Sequence, residues 1–286
     1  MTDAFVKTNA DEHNGNILIP SDHKMLMEKL RFEVGGGGTN TAVAFSRLGL
    51  KTGYVGKLGN DKNGERILNL LKKERITFLG KITNEETNGF SFILISRRLN
   101  RAIVAYRGIN DEIRKNDVRK FQTDWFYISS MMKESLRTQI ELAKKLKRKG
   151  TKIAFNPSEY LIRKIKLKPL LNLCDVLILN KEEAALLTGK ENKLEGIYDM
   201  GPKIVVITDE RRAVQCYDGK KIYTITPPKI KIVDKTGAGD AFASGFVAGL
   251  IKNKPIEFCL NLGVREAVSV IKYIGAKNNL IRMRLK

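Results

Sequence analysis

The stretch IVDKTGAGDAFASG, residues 232–245, sets three small residues and then an aspartate at the mouth of a predicted helix. Gly237, Ala238 and Gly239 carry no bulky side chain, so backbone N–H groups at the helix start can approach an anion closely, helped by the positive end of the helix dipole. Phosphate is the natural guest of such a turn. It is not a Walker loop, because GxxxxGK[ST] is absent, nor the dinucleotide fingerprint, because Phe242 stands where GxGxxG needs its third glycine. Asp240 beside a phosphate cradle is electrostatically unfavourable unless it does chemistry, and a general base taking a proton from an attacking hydroxyl meets that requirement. The plain alternative is a helix N-cap, which the local pattern serves equally well.

These residues need elements to hold them. Lys229–Val233 alternates with Ile and reads as a strand, while Ala241–Lys252 carries Phe242, Phe246 and Leu250 at helical spacing. The turn is then Asp234–Asp240. From about Thr123, short apolar runs alternate with helical stretches: DWFYISS, SLRTQIELAKKLKRKG, KIAFNP, CDVLILN, KEEAALLTG and KIVVIT. That order predicts parallel strands buried on both faces and joined by right-handed crossovers. Earlier, GNILIP, KLRFEVGG and the pair GFSFILIS and RAIVAYRG, joined by the polar tip RRLN, read as antiparallel strands with a hairpin. The expected fold is α/β: a doubly wound, mostly parallel central sheet flanked by helices, with a small antiparallel β lid from about residues 4–34 and 87–107. No repeat, linker or break in composition divides residues 1–286, so one domain is expected.

Composition narrows the chemistry. A chain of 286 residues can bury one substantial core. Cys174, Cys216 and Cys259 are odd in number and lack CxxC spacing, which argues against a disulfide framework or zinc cluster and fits a reducing cytoplasm. There is no run of about 18 apolar residues, and MTDAFVKTNADEHNG is not a basic-then-apolar leader, so neither membrane insertion nor export is expected. Against 31 Asp and Glu stand 52 Lys and Arg, a formal +21 that by itself suggests a nucleic-acid partner. Yet in ELAKKLKRKG and YLIRKIKLKPLL the cations interleave with Leu and Ile, as solvated helix faces do. No specific nucleic-acid partner is expected.

Two further stretches complete a familial pattern. GGGGTNTAVAFSRLG, residues 35–49, resembles the N-terminal signature of the ribokinase-like (PfkB-type) carbohydrate kinases, VDKTGAGDAF resembles their C-terminal signature, and NKEE from Asn180 is similar to the NxxE motif between them. The resemblance covers most of the chain. It implies ATP-dependent phosphorylation of a primary hydroxyl on a small sugar, sugar acid or nucleoside, with Asp240 as base and the N–H groups of Gly237, Ala238 and Gly239 as an anion hole for the γ-phosphoryl group. It further implies that Asn180 and Glu183 organise Mg²⁺ and phosphate through water, a role that a helix cap can share. Gly35 and Gly36 match glycines that let backbone approach a sugar, Asn40 a sugar-binding asparagine, and Asp3 a sugar-hydroxyl-binding aspartate. Thr208 and Thr236 fall on the nucleotide side, and Asp234 is a candidate ligand for a monovalent cation such as K⁺. The lid edges leave room for a homodimer.

Departures accompany the matches. In ITDERRAV, Glu210 and Ala213 stand where the family commonly has glycines near the nucleotide, and Lys235 replaces a small hydroxyl residue. Asn60 replaces the first aspartate of a usual GDD, with Asp61 and Gly64 kept. Glu210 and Ala213 keep open a catalytically weak sugar- or nucleotide-binding relative, and the +21 charge keeps open a basic nucleic-acid-associated protein. The family also has an apolar strand ending in glycine ahead of the aspartate that Asp3 matches, where this sequence has Met1 and Thr2. The expectation is a start upstream, or a sheet gapped beside Tyr54 and Val55.

Overall fold

Val176–Asn180 and Ile204–Thr208 are almost entirely apolar and buried, as strands covered on both faces must be. They sit at the centre of a computed structural model that describes residues 1–8, 10–14, 16–19, 21–22, 24–97, 101–189, 194–210 and 212–285. The first part of the chain supplies β1 (Thr2–Thr8), β2 (Glu12–His13), β3 (Asn16–Ile17), β4 (Met27–Val34), α1 (Gly37–Arg47), β5 (Gly53–Tyr54), β6 (Lys57–Gly59), α2 (Lys62–Lys73), β7 (Thr77–Phe78), β8 (Lys81–Thr83), β9 (Phe90–Ile95) and β10 (Arg101–Tyr106). The rest runs β11 (Trp125–Ser129), α3 (Lys133–Lys147), β12 (Lys152–Asn156), α4 (Glu159–Lys164), α5 (Lys168–Leu171), β13 (Val176–Asn180), α6 (Lys181–Thr188), α7 (Leu194–Tyr198), β14 (Ile204–Thr208), β15 (Val214–Tyr217), β16 (Ile222–Ile225), α8 (Ala238–Ile251) and α9 (Ile256–Val270).

The main sheet has the order β11-β12-β13-β14-β15-β16, its first four strands parallel and its last two added antiparallel. Alternation along each strand divides the core in two. Ile178 and Val206 pack with Phe242 and Phe246 of α8, whereas Leu177, Val205 and Ile207 pack on the other face with Leu136, Leu161 and Ile197. Asn180 and Thr208 are in register at the carboxyl ends of β13 and β14. Loops at that edge are where an open α/β sheet offers a ligand crevice.

A second sheet, β10-β9-β1-β4, forms the lid. It is mixed, not wholly antiparallel: β1 pairs antiparallel with β4 but parallel with β9, because a long connection returns β9 to the side from which β1 sets out. The β9–β10 hairpin is antiparallel as expected, while residues 98–100 of its tip lie outside the described residues. Strict alternation sends Asp3, Glu33, Ser91 and Arg101 to one face and Phe32, Phe92 and Val104 to the other. Among the described residues of GNILIP, Asn16 and Ile17 form the two-residue β3.

Three expectations need correction or completion. Residues 229–233 are not a strand: Pro227 and Pro228 precede them, and Val233 and Asp234 donate to the Ile271 carbonyl after α9 instead of pairing with a strand. Helix α8 starts at Ala238 rather than Ala241, capped by Gly237 in the left-handed region at φ 78°. Finally, β5 pairs with β7 alone and β11 with β12 alone among the described residues. Tyr54 and Trp125 both line a cleft of about 610 Å³, and no described strand joins β5 to β11, so the sheet is gapped beside Tyr54 and Val55.

Candidate active site

Two helix starts converge on Asp240. It is the third residue of α8, and α1 approaches so closely that a Cβ on Gly37 would lie 3.1 Å from its Oδ1. Its other oxygen, Oδ2, accepts a 2.7 Å hydrogen bond from Asn40 Nδ2. Asn40 Oδ1 in turn accepts from the ammonium of Lys277, a residue in the loop after α9. Burial pushes the Asp240 carboxyl above its ordinary value, opposed by the Asn40 bond and the Lys277 charge. Asp240 does not cap α8, since Gly237 holds that position.

The start of α8 is shaped by two glycines for different reasons. Gly237 has the positive φ that favours glycine, and a Cβ there would meet that of Ala276 at 2.4 Å. Gly239 faces open space, with nothing within 4 Å of its missing Cβ. Ala238 N–H donates to the Lys235 carbonyl at 3.2 Å, whereas the N–H groups of Gly237 and Gly239 make no backbone bond among the described residues. Of these three N–H groups, an anion above the turn therefore meets those of Gly237 and Gly239 without a backbone partner among the described residues.

On the lid side, Asp3 is buried against Gly35, whose glycine identity is required: a Cβ there would fall 1.7 Å from Asp3 Oδ2. Burial raises the Asp3 carboxyl, partly offset by Ser91 and Lys277. Gly36 adopts φ 89° at the start of α1 and lets the chain turn between lid and helix. Asp3 with Gly35, and Asn40 with Asp240, are thus drawn together around Lys277, which bonds Asn40 and feels the charge of both aspartates.

At the sheet edge, Asn180 and Glu183 form a reciprocal capping box, Asn180 Oδ1 accepting from Glu183 N at 2.7 Å and Glu183 Oε2 from Asn180 N at 2.9 Å. Burial pushes the Glu183 carboxyl up to about 7. Tyr127 feels both Asp240 and Glu183: its buried hydroxyl has no hydrogen-bond partner among the described residues, and its ionisation is opposed by burial, then Asp240, then Glu183. Thr208 Oγ1 leans back on the Leu179 carbonyl at 3.4 Å.

Asp234 is saturated by protein groups. Thr236 donates to Oδ1 through its N–H at 2.9 Å and its hydroxyl at 2.7 Å, Gly275 N donates to Oδ2 at 2.9 Å, and the Arg101 guanidinium reaches in from the lid to touch both Asp234 and Thr236. Lys235 and Glu210, separate departures in sequence, are ion-paired to one another at 2.7 Å. Glu210 takes φ 35°, a backbone state that glycine adopts freely. The large cleft between β5 and β11 adjoins this site, lined by Gly35, Gly36, Gly37 and Tyr127 but not by Asp240 or Asn40.

The residues fit the expected ligands. Open space over the Gly239 N–H suits a phosphate, and Glu183, whose carboxylate accepts from the backbone of Asn180 and Glu159, is the hard oxygen donor that would suit a cation held through water. Lys277, Arg101 and Tyr127 escape sequence reasoning: a lone lysine or arginine in a chain this basic reads as surface, and the tyrosine as core.

A family model, the pfkB family carbohydrate kinases, matches residues 7–282. An uncharacterised sugar kinase of Archaeoglobus fulgidus is 29% identical over 249 residues, covering 84% of this chain and 99% of that protein. A cytidine kinase of Thermococcus kodakarensis is 36% identical over 158 residues, 52% of this chain and 56% of the other. Among solved structures, the Methanocaldococcus jannaschii nucleoside kinase, a member of the ribokinase family, superposes with a TM-score of 0.84 at 20% identity, covering 98% of this chain and 91% of that one.

Proposed function

The chain belongs to the pfkB family of carbohydrate kinases, and from that premise we propose in-line transfer of the ATP γ-phosphoryl group to a primary hydroxyl of a small sugar, sugar acid or nucleoside. The observation that carries this reading is the placing of Asp240 between the free N–H groups of the α8 start and the hydroxyl-binding groups Asp3 and Asn40. Asp240 takes the proton of the attacking hydroxyl. Asp3, Asn40 and the bare backbone of Gly35 and Gly36 orient the acceptor, and the Gly237 and Gly239 N–H groups hold the phosphoryl group where charge develops. Asn180 and Glu183 would hold Mg²⁺ through water, and that ion would supply neutralising charge across the phosphate oxygens. Thr208 and Thr236 border the nucleotide. A K⁺ at Asp234 would have to displace Arg101, so we assign the local positive charge to the arginine.

The lid and the sheet act as one unit over residues 1–286, the lid excluding water during transfer. No described helix is long and apolar enough to cross a membrane. Burial pushes the thiols of Cys174 and Cys259 up to about 12, which suits unpaired cysteines in a cytoplasmic enzyme.

The test is a kinase assay over ribose, fructose, 2-keto-3-deoxygluconate, hexose phosphates and nucleosides, repeated with Asp240→Asn. Loss of a general base costs roughly 10²- to 10⁴-fold, so the variant is expected to lose at least about a hundredfold in turnover while still binding ATP. Wild-type turnover in Asp240→Asn would remove the aspartate from the mechanism. ATP binding without turnover of any acceptor by the native protein would favour the weak-relative alternative.

A further inference from the structure

Lys277 is a buried cation that bonds Asn40 and feels the charges of Asp3 and Asp240, and no motif in the sequence singles it out. Its side chain is 9% exposed, its Nζ donates to Asn40 Oδ1, and its own carbonyl accepts a 2.7 Å hydrogen bond from Arg47 Nη1, which pins the loop. Every element around it contributes charge: Asp3 and the Met1 amine from the lid, Glu33 from β4, Asp240 from α8 and Arg47 from α1.

An asparagine amide has an oxygen end and a nitrogen end of nearly the same shape, and only its partners decide which way it faces. Lys277 can only donate. It therefore fixes the Asn40 oxygen toward itself and the Asn40 NH₂ toward Asp240, the one orientation in which Asn40 donates to that carboxylate instead of confronting it with a second oxygen. We propose that Lys277 is a positioning residue of the phosphoryl transfer, locking the Asn40 amide against Asp240 and supplying the positive charge that keeps this carboxylate ionised inside a closed site. The proposal rests on Asp240 being the base.

Two effects separate in two variants. Lys277→Gln keeps a hydrogen-bond donor for Asn40 without the charge, whereas Lys277→Met keeps neither. Both lose the charge that favours the ionised carboxylate, so the titration of Asp240 is expected to move up by about one unit in each. Only Met frees the amide to rotate, so turnover on the pH plateau is expected to fall by about tenfold in Lys277→Met and much less in Lys277→Gln. In the native protein burial lowers the ammonium to about 8, against the raising effect of Asp3, Asp240 and Glu33. Activity should therefore decline above about pH 8, a limb that both variants lack.

The decisive measurement needs no acceptor: carboxyl-carbon NMR of aspartate-labelled protein, with the Asp240 signal identified by its absence in Asp240→Asn. An upward move of that titration in both variants, with melting temperature and ATP affinity unchanged, supports the proposal. An unmoved titration in a folded variant overturns it, even where Asp240→Asn is inactive and the base assignment stands. Should Lys277→Met not fold, Lys277→Gln alone decides on the same signal. Native-like turnover in Asp240→Asn, measured with whichever of ribose or cytidine the native enzyme uses, overturns the base assignment and this proposal together.

Discussion

The Glu210–Lys235 pair shows how single residues read differently alone and together. Each departs from the family pattern, and each by itself casts doubt on nucleotide binding. In the fold they neutralise one another beside the phosphate turn, at the modest value of an exposed pair, roughly 0–1 kcal/mol. Glu266 is the opposite case, a charge with too few partners. It lies fully buried in α9 and, among the described residues, its Oε1 has no partner and its Oε2 accepts only the Ile281 N–H at 3.2 Å. Burial pushes its carboxyl up to about 7, more than the Ile281 bond and the Arg47 and Arg265 charges hold it down. Folding therefore takes up a proton at pH values between the ordinary carboxylate range and about 7. The stability this contributes is full below that range and is lost as the pH rises toward 7. Replacing Glu266 by Gln removes the titration, so its melting temperature relative to native should rise on going from about pH 5 to about pH 8, by the equivalent of roughly 1–3 kcal/mol. A native-like pH dependence of melting in the variant would show that Glu266 keeps its ordinary acidity.

At the scale of elements, the parallel core was legible because periodicity and burial agree there. Each run from DWFYISS to KIVVIT became its strand, and SLRTQIELAKKLKRKG and KEEAALLTG became α3 and α6. Residues 229–233 alternate just as well and formed no strand, because alternation records which side is solvated, not whether a neighbour supplies a ladder. The direction of β9 against β1 was likewise hidden, since a pairing across some eighty residues leaves no local trace. Within the site, the motif residues were legible by resemblance, while Lys277 and Arg101 reach it only through the folded loop and lid. The start of α8 gives a test at this scale. Gly237→Ala forces a Cβ into Ala276 at a left-handed position and should destabilise the protein by about 1–3 kcal/mol. Gly239→Ala meets nothing, and in a helix first turn it should leave stability unchanged or raise it by up to about 1 kcal/mol, yet its methyl would occupy the phosphate space and cut turnover. Full activity in Gly239→Ala, beside unchanged melting, would place the phosphate elsewhere.

Across the whole molecule, the lid has two different faces because β-strands alternate. The face bearing Asp3, Ser91 and Arg101 looks into the site, and the other presents Leu30, Phe32, Phe92, Val104 and Tyr106, each between 45% and 61% exposed. Register sets Phe32 and Phe92 on either side of the buried Ala4, and Val104 next in the row. A continuous apolar row on a sheet with open edges is costly to leave in water, and a second copy of the same surface satisfies it through a two-fold axis. That arrangement would couple the lids of two active sites, so the homodimer proposed from the sequence carries a functional consequence: each Asp3 would be steadied by the neighbouring subunit's lid without contact to its site. Val104→Asp puts a charge into the centre of the row while leaving the inward face untouched. Sedimentation of the native protein is expected to give a dimer and that of Val104→Asp a monomer, with weaker acceptor binding and unchanged affinity for ATP, whose proposed site is away from the lid. A native monomer at micromolar concentration would mean that the apolar row serves another contact, and a dimer that survives Val104→Asp would move the interface off the lid.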